Sequence, residues 1–341
     1  MSEPVPSIPT PAPAEPATAG SATPRRYGLK YYIRRTVIYL LTGYVLLVLG
    51  LFIFQRKLIY HGEHTAPLDP AHSGFVEQQA RAFEAHAEDG VTVRGWQILP
   101  GHFAPPFKGP APDFDKEIAD GRIVDLFFHG NAGNRSFRTD LYILLAKQNC
   151  HSVSIDYRGF GDSDGEPSEE GLAEDARAAW NWITSKGVKP DCIVIHGESL
   201  GCAVAVRLAR EMEDAGTPPA GLILEAPFSS LPDVAGSIYW FIPVRLILRE
   251  RYPSLERISK LTSPLLIFHG KLDEVVPFWQ GQKLFDAAPE KARDGTPKQF
   301  VEFPMGHHNN VRNVDPKTYD KVLSEFLAAR AATAAQETAA K

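Results

Sequence analysis

The sequence predicts an α/β fold: a mostly parallel central sheet covered by helices on both faces, preceded by one transmembrane helix. Three observations predict it. From about residue 60, short apolar runs of strand type alternate with helical stretches, as in parallel sheets with covered faces. Residues 36–54 carry no charged side chain. The 341 residues are 44% hydrophobic and 23% charged, a balance that allows a sizeable core.

The N-terminal region combines a polar tail with a membrane anchor. Residues 1–24 are mostly Pro, Ala, Ser and Thr, which lack the apolar groups that offset the entropy of ordering, so this tail is predicted to be disordered. As a helix, residues 36–54 would reach roughly 28 Å, close to the hydrocarbon thickness of a bilayer. A cleaved signal peptide is disfavoured because Arg56 and Lys57 follow almost directly. A buried core helix is disfavoured by the length of the uncharged stretch.

Basic residues flank the predicted anchor on both sides and indicate its orientation. Five precede it and two follow: Arg25, Arg26, Lys30, Arg34 and Arg35, then Arg56 and Lys57. Because positive side chains favour the cytoplasmic side, we expect a cytoplasmic N-terminus and the rest of the chain on the non-cytoplasmic side.

One α/β domain is predicted over residues 60–331, with a disordered tail over 332–341. The predicted strands are apolar runs at 91–99, 123–128, 152–156, 193–196, 222–224, 265–268 and 300–303. The predicted helices are 137–148, 169–186, 200–212, 280–287 and 319–329. Ser168 is expected to cap the second of these helices. The irregular stretches 104–120 and 231–263 are read as a surface excursion and a small helical lid.

Charge and cysteine content exclude some classes of protein. There are 36 basic and 41 acidic residues, a net charge of −5, and no basic stripe of the kind that nucleic acid binding requires. We therefore expect no nucleic acid partner. Cys150, Cys192 and Cys202 are too few and too scattered for a disulfide framework or a zinc site, and are read as small buried residues.

The most specific chemical motif is the pentapeptide GESLG at residues 197–201, between a predicted strand and a predicted helix. A serine on so sharp a turn projects its hydroxyl, and only small residues two positions to either side let the strand and the helix pass so closely. The helix N-terminus then offers free N–H groups to developing negative charge. These features predict Ser199 as a nucleophile.

A nucleophilic serine needs two partners. A histidine takes its proton, and a carboxylate orients that histidine. In folds with such a turn the partners follow in the order serine, acid, histidine. Asp273, on the loop after the sixth predicted strand, is the expected acid, and Glu225 at the end of the fifth is the alternative. His307 and His308 both follow the last predicted strand; neighbouring side chains point apart, so only one of them can be the base.

A glycine-rich loop, HGNAGN at residues 129–134, follows the second predicted strand. Rigid backbone N–H groups aimed at an oxyanion lower the barrier of acyl transfer. The N–H groups of Leu200 and Asn131 are the expected donors. A phosphate-cradling loop is disfavoured because no Lys-Ser/Thr pair follows. His129 is read as a turn residue rather than a base, and the loop at 156–163 is assigned a structural role.

With these motifs in hand, residues 50–330 resemble the membrane-anchored ABHD-type α/β hydrolases, a group that contains protein depalmitoylases and lysophospholipid lipases. The matching blocks are FQRK at 54–57 with Tyr60, the loop 129–134, YRGFG at 157–161, PSE at 167–169, the serine pentapeptide, EAPF at 225–228, and Asp273 with VP at 276–277. Members of this group typically carry the catalytic His followed by Asn and Asp. His308 followed by Asn309 fits best and favours His308 over His307, although Asn310 replaces the usual Asp.

The resemblance implies the α/β-hydrolase fold and an acyl-enzyme mechanism on a carboxylic ester or thioester. Ser199 is the nucleophile, His308 the base and Asp273 the acid. Neither a metal nor a cofactor is implied. The depalmitoylase branch usually has a cysteine-rich N-terminus, and this chain has no cysteine before Cys150. A peptidase or amidase of the same fold, and a non-catalytic membrane interaction protein, are the alternatives.

The predicted anchor and one aromatic stretch indicate the substrate. Tyr239, Trp240 and Phe241 fall within the predicted lid, and Phe228 is expected to line an acyl pocket. A site tethered beside a bilayer and flanked by aromatic side chains favours a small acyl ester or a lipid as substrate.

Overall fold

The computed structural model describes residues 27–101 and 110–339, which fall into two compact units divided between Leu49 and Gly50. Helix α1 (Leu29–Ile59) supplies the described part of the first unit and begins the second. Its most apolar 18-residue window has a mean hydropathy of 2.5 and is 0% buried, so α1 is a candidate membrane span by length and composition. The predicted anchor 36–54 lies within α1. The predicted tail 1–24 lies outside the described residues.

Eight strands form one sheet in the order β1-β2-β4-β3-β5-β6-β7-β8. Their bounds are β1 (Ala80–His86), β2 (Thr92–Ile98), β3 (Val124–Phe128), β4 (His151–Ile155), β5 (Ile193–Glu198), β6 (Gly221–Glu225), β7 (Leu265–Gly270) and β8 (Gln299–Phe303). β2 pairs antiparallel with β1 and β4, and all the other pairs are parallel. The prediction of a mostly parallel sheet is confirmed. The edge strand β1 has no predicted counterpart, because its sequence ARAFEAH is rich in Ala and charged residues, which have low strand propensity.

Helices cover both faces of this sheet, as predicted. They are α2 (Phe114–Glu117), α3 (Thr139–Lys147), α4 (Glu169–Ser185), α5 (Leu200–Asp214), α6 (Leu231–Ile238), α7 (Val244–Ile247), α8 (Ser254–Ile258), α9 (Phe278–Ala287), α10 (Val311–Val314) and α11 (Pro316–Ala339). Side chains of the central strand β3 alternate between two cores. Leu126 and Phe128 pack with α4, α5 and α8, whereas Phe127 packs with α3 and α11.

Local sequence accounts for how individual helices begin and end. The Ser168 side chain accepts a hydrogen bond from the N–H of Gly171 at 3.0 Å, so it caps α4 as expected. The expectation of a disordered tail over 332–341 is corrected: α11 continues to Ala339. The residues after Ala331 lack Gly and Pro and are rich in Ala, the residue with the highest helix propensity. Residues 340 and 341 lie outside the described residues.

The stretch 231–263, here called the cap segment, leaves the carboxyl end of β6 and carries α6, α7 and α8. The helical lid that the sequence predicts therefore takes the form of three short helices. The predicted excursion 104–120 includes α2, and its residues 104–109 lie outside the described residues.

Candidate active site

Ser199 lies at the turn between β5 and α5, in a backbone conformation that is rare for a residue with a side chain. Its φ is +52° and its ψ is −113°. A Cβ atom on Gly197 would lie 2.4 Å from the carbonyl oxygen of Gly201, and one on Gly201 would lie 2.0 Å from that of Phe128. Both positions therefore require glycine. The N–H of Ser199 also donates to the carbonyl of Glu225 at 2.8 Å, which fastens the turn to β6.

His308 connects Ser199 to Asp273. Its Nε2 lies 3.0 Å from the Ser199 Oγ, and its Nδ1 lies 2.8 Å from the Asp273 Oδ2. The other Asp273 oxygen accepts the backbone N–H groups of Val275 at 2.9 Å and Val276 at 2.7 Å. Ser199 follows β5, Asp273 follows β7 and His308 follows β8, so the three side chains meet at the carboxyl ends of parallel strands of one sheet.

The alternative base and the alternative acid both lie elsewhere. The His307 side chain is 50% exposed and its Nδ1 lies 3.1 Å from Glu274, so it faces solvent rather than Ser199. Glu225 is buried, and its carboxylate contacts other partners: Nε2 of His196 at 2.9 Å, the hydroxyl of Tyr319 at 2.6 Å and Nε of Arg312 at 3.0 Å.

A second histidine lies behind Asp273. His269 is fully buried, and its Nε2 lies 3.4 Å from the Asp273 Oδ2 and 3.0 Å from the carbonyl of Val276. Burial acts to raise the pKa of Asp273, but hydrogen bonds from His269 and His308 outweigh it and keep that pKa well below its usual range. Asp273 is therefore ionised at neutral pH. The sequence signal was a histidine at the end of a buried strand, four residues before the acid.

A cluster of buried and partly buried charges lies next to Ser199. His196 is fully buried, 3.1 Å from Asp125 and 2.9 Å from Glu225. Burial acts to lower the pKa of His196, but these two carboxylates raise it to about 9, so the imidazole is protonated at neutral pH. Arg312 reaches Glu225 and, at 2.6 Å, Glu198, the residue before Ser199.

Arg138 completes this cluster by contacting Glu198 at 2.5 Å. Three cations thus face three carboxylates: His196, Arg312 and Arg138 face Asp125, Glu225 and Glu198. The sequence signal was the presence of Asp125 and His196 within otherwise apolar strands.

The glycine-rich loop 129–134 passes beside Ser199. A Cβ atom on Gly130 would lie 3.4 Å from the Cβ of Ser199. The carbonyl of His129 accepts the Tyr157 hydroxyl at 2.9 Å, and the His129 ring is fully buried, which agrees with a turn role. The side chain of Asn131 points to the chain that follows α1: its Nδ2 donates to the carbonyl of Ile59 at 2.5 Å, and its Oδ1 accepts the N–H of His61 at 3.4 Å.

The loop 156–163 is built around buried ion pairs. Asp156 accepts the backbone N–H of Arg135 at 2.6 Å and its guanidinium at 2.5 Å, and Asp162 accepts the same guanidinium at 2.6 Å. The hydroxyl of Ser163 donates to the carbonyl of Asp156 at 2.7 Å. These contacts hold the loop against the start of α3 and are structural.

The candidate substrate residues fall into two groups. Phe228 is buried, with its ring edge-on to Tyr252 at 6.4 Å between ring centroids. Tyr239, Trp240 and Phe241 lie at the surface of the cap segment, and Trp240 is 84% exposed. The structure thus places Phe228 in the core and the other three in contact with solvent.

Known proteins resemble this chain in sequence and in fold. A model of the alpha/beta hydrolase family matches residues 126–293. The lysophosphatidylserine lipase ABHD12 of Danio rerio is 33% identical over 332 residues, covering 89% of this chain and 86% of that protein. An uncharacterized protein of Mycobacterium tuberculosis is 36% identical over 274 residues, which cover 80% of this chain and 87% of that protein. A solved esterase of Pyrococcus furiosus, 17% identical, covers 79% of this chain and 97% of its own with a TM-score of 0.57, a likeness of fold.

The parallel sheet, the serine on its tight turn and the family match define a hydrolase of the serine type. The extent of the identity to ABHD12 makes the assignment more specific. The chain belongs to the α/β hydrolase family, as a member of its ABHD type.

Proposed function

We propose that this hydrolase cleaves the carboxylic ester bonds of membrane lipids, with Ser199 as nucleophile, His308 as base and Asp273 as the acid that orients it. The observation that carries the proposal is the 3.0 Å contact between the Nε2 of His308 and the Oγ of Ser199. At this distance the imidazole can accept the hydroxyl proton as the oxygen attacks a carbonyl.

In the first half of the reaction, the Ser199 Oγ bonds to the acyl carbon while its proton passes to the Nε2 of His308. Asp273, ionised and 2.8 Å from the Nδ1, stabilises the imidazolium that forms. The backbone N–H groups of Leu200 and Asn131 are the donors that we assign to the oxyanion. Collapse of the tetrahedral intermediate breaks the ester C–O bond, and the departing alcohol takes the proton from His308.

In the second half, water releases the acyl group. His308 accepts a proton from the attacking water, a second tetrahedral intermediate forms, and the bond to the Ser199 Oγ breaks as the oxygen recovers its proton. The products are a carboxylic acid and the free serine hydroxyl. Every proton transfer uses the imidazole of His308, so both halves of the reaction depend on its contact with Ser199.

Two observations support a lipid as the acyl donor. Helix α1 has the length and composition to span a bilayer, which would keep the site near lipid. The relative from Danio rerio is named a lysophosphatidylserine lipase. We therefore extend the proposal to single-chain glycerophospholipids. From the five basic residues before the anchor, we also propose that the N-terminus is cytoplasmic and the second unit is on the other side.

The test uses the full chain in detergent and in lipid vesicles. Wild type and Ser199→Ala are treated with a fluorophosphonate probe, which reacts with activated serines, and fatty acid release from lysophosphatidylserine is measured. We expect labelling and release in the wild type and neither in the variant. Labelling that survives in Ser199→Ala, or a wild type that cleaves aminoacyl amides but not esters, would refute the proposal.

A further inference from the structure

An exposed apolar surface lies on the cap segment, from the last residue of α6 through the connecting loop into α7. We call it the cap surface and define it as residues 238–246. Its exposed members include Ile238 at 48%, Trp240 at 84% and Leu246 at 85%. Tyr239 and Phe241 are also about half exposed. Large apolar side chains clustered on a surface in this way mark a site that contacts another apolar phase.

The cap surface continues into a segment that contacts the last turns of α1. Gln55 is buried there: its Oε1 accepts the N–H of Arg249 at 2.7 Å, and its Nε2 donates to the carbonyl of Ile247 at 3.3 Å. The Arg249 guanidinium lies over the ring of Phe52, 4.2 Å from its centroid. The start of this segment, Ile247, directly follows Leu246.

This end of α1 is itself apolar and exposed. Ile53 is 61% exposed and Phe54 is 56% exposed, and both belong to the helix that can span a bilayer by length and composition. Ile53 and Phe54 therefore lie in the same region of the second unit as the cap surface, through the contact of Gln55 with Arg249. A bilayer that contacts Ile53 and Phe54 would therefore also come close to the cap surface.

The residue types at the cap surface fit one zone of a bilayer. Trp and Tyr concentrate where lipid headgroups meet the acyl chains, because their rings are apolar and carry one polar group. Exposed arginines adjoin them: Arg245, whose side chain is 74% exposed although it pairs with Asp233 at 2.9 Å, and Arg249 and Arg251. Guanidinium groups bind lipid phosphates in bidentate fashion.

We propose that the cap surface docks on the bilayer that α1 spans, with Trp240 and Leu246 at the boundary of headgroups and acyl chains and Arg245 and Arg249 facing phosphates. The inference rests on the proposed membrane anchor. The cap segment leaves the carboxyl end of β6, and Ser199 follows the carboxyl end of the adjacent β5. In the docked protein, the carboxyl ends of the strands, where the candidate site lies, therefore face the lipid.

The test measures the depth of labels on the full chain in phospholipid vesicles. Cysteines are introduced singly as Trp240→Cys and Leu246→Cys and labelled with bimane; the three native cysteines are buried and do not compete. The matched control is Glu290→Cys. The Glu290 side chain is 87% exposed and precedes β8, at the amino ends of the parallel strands and not at their carboxyl ends. Quenching is then compared in vesicles with and without brominated phospholipid.

We expect brominated lipid to reduce the bimane signal at positions 240 and 246 at least twofold, and to leave position 290 unchanged. Equal and weak quenching at all three positions would overturn the inference. So would efficient cross-linking between two cysteines at position 240, since it would identify a second copy of the chain as the occupant. Alkaline extraction of the same vesicles separates the two proposals: a protein that is extracted contradicts the anchor, whereas one that stays without quenching contradicts only the docking.

Discussion

The side-chain amide of Asn131 donates a hydrogen bond to the backbone carbonyl of Ile59, the last residue of α1, at 2.5 Å. The same side chain accepts the N–H of His61, and His61 also pairs with Ala132 in an isolated parallel bridge. The loop that we assign to the oxyanion is therefore fastened to the chain that leaves α1. The position of its backbone N–H groups depends on a segment far from the motif in sequence.

Asn131→Ala removes both side-chain hydrogen bonds but keeps the backbone N–H. We expect kcat to fall about tenfold or more with little change in KM, because a displaced oxyanion donor costs stabilisation of the transition state. Steady-state kinetics on a short-chain ester checks this, with the melting temperature measured in parallel. A variant that melts earlier yet retains the wild-type kcat would show that the contact is only structural.

The two adjacent histidines provide a matched pair of variants. His308→Ala should lower kcat/KM and the rate of fluorophosphonate labelling by on the order of 10³-fold or more, since His308 is the only base among the described residues that contacts Ser199. His307→Ala removes a half-exposed ring that contacts Glu274, and should change both quantities less than about threefold. Equal losses in the two variants would contradict the assignment of His308.

Two helix glycines test the contact between His269 and Asp273. A Cβ atom on Gly281, in α9, would lie 2.2 Å from the Nδ1 of His269, so Gly281→Ala should displace that imidazole from Asp273. Loss of one hydrogen bond to a carboxylate is expected to lower kcat about tenfold.

The control for this variant is Gly236→Ala in α6, where the added Cβ would meet Val244 at an ordinary 3.6 Å. Replacing a helix glycine by alanine without a clash should stabilise the protein by up to about 1 kcal/mol and leave kcat unchanged. If both variants keep full activity, His269 does not position Asp273.

The charge cluster predicts how stability varies with pH. The pKa of His196 is raised to about 9 in the folded protein from an ordinary value near 6.5. Between these two pKa values the folded state binds more protons than the unfolded state. The contribution of His196 to stability is therefore full below about pH 6.5 and is lost as pH rises through 9. The difference amounts to about 3 kcal/mol.

Urea unfolding of the wild type and His196→Gln at pH 6, 8 and 9.5 measures this. The wild type should lose stability with increasing pH across the window, and the variant should start lower and lose much less. A variant that follows the wild-type slope would show that another group titrates.

Features that depend on neighbouring residues were predictable from the sequence. The turn at Ser199 is one, because the clash that excludes side chains at Gly197 involves Gly201 of the same motif. The apolar runs of β3, β4, β5, β6 and β7 are another, since strands buried on both faces need little besides apolar residues. The cap at Ser168 also depends only on the residues of its own helix turn.

Features that depend on distant partners were not predictable. The contact between Asn131 and Ile59 joins residues separated by 72 positions, and nothing in either segment indicates the other. Residue patterns alone left His307 and His308 equivalent, because the direction of each ring is set by the loop after β8. Strand β1 was not predicted because it is stabilised by its antiparallel pairing with β2, and its own composition does not indicate a strand.

The charge cluster next to Ser199 also bears on how the chain folds. Asp125, His196 and Glu225 lie on three adjacent strands, and Arg138 and Arg312 come from segments before α3 and within α10. A partly built sheet would hold charges out of water without their counterions, a costly state. Intermediates that lack either arginine segment should therefore be sparsely populated, and the centre of the sheet should form in one cooperative step.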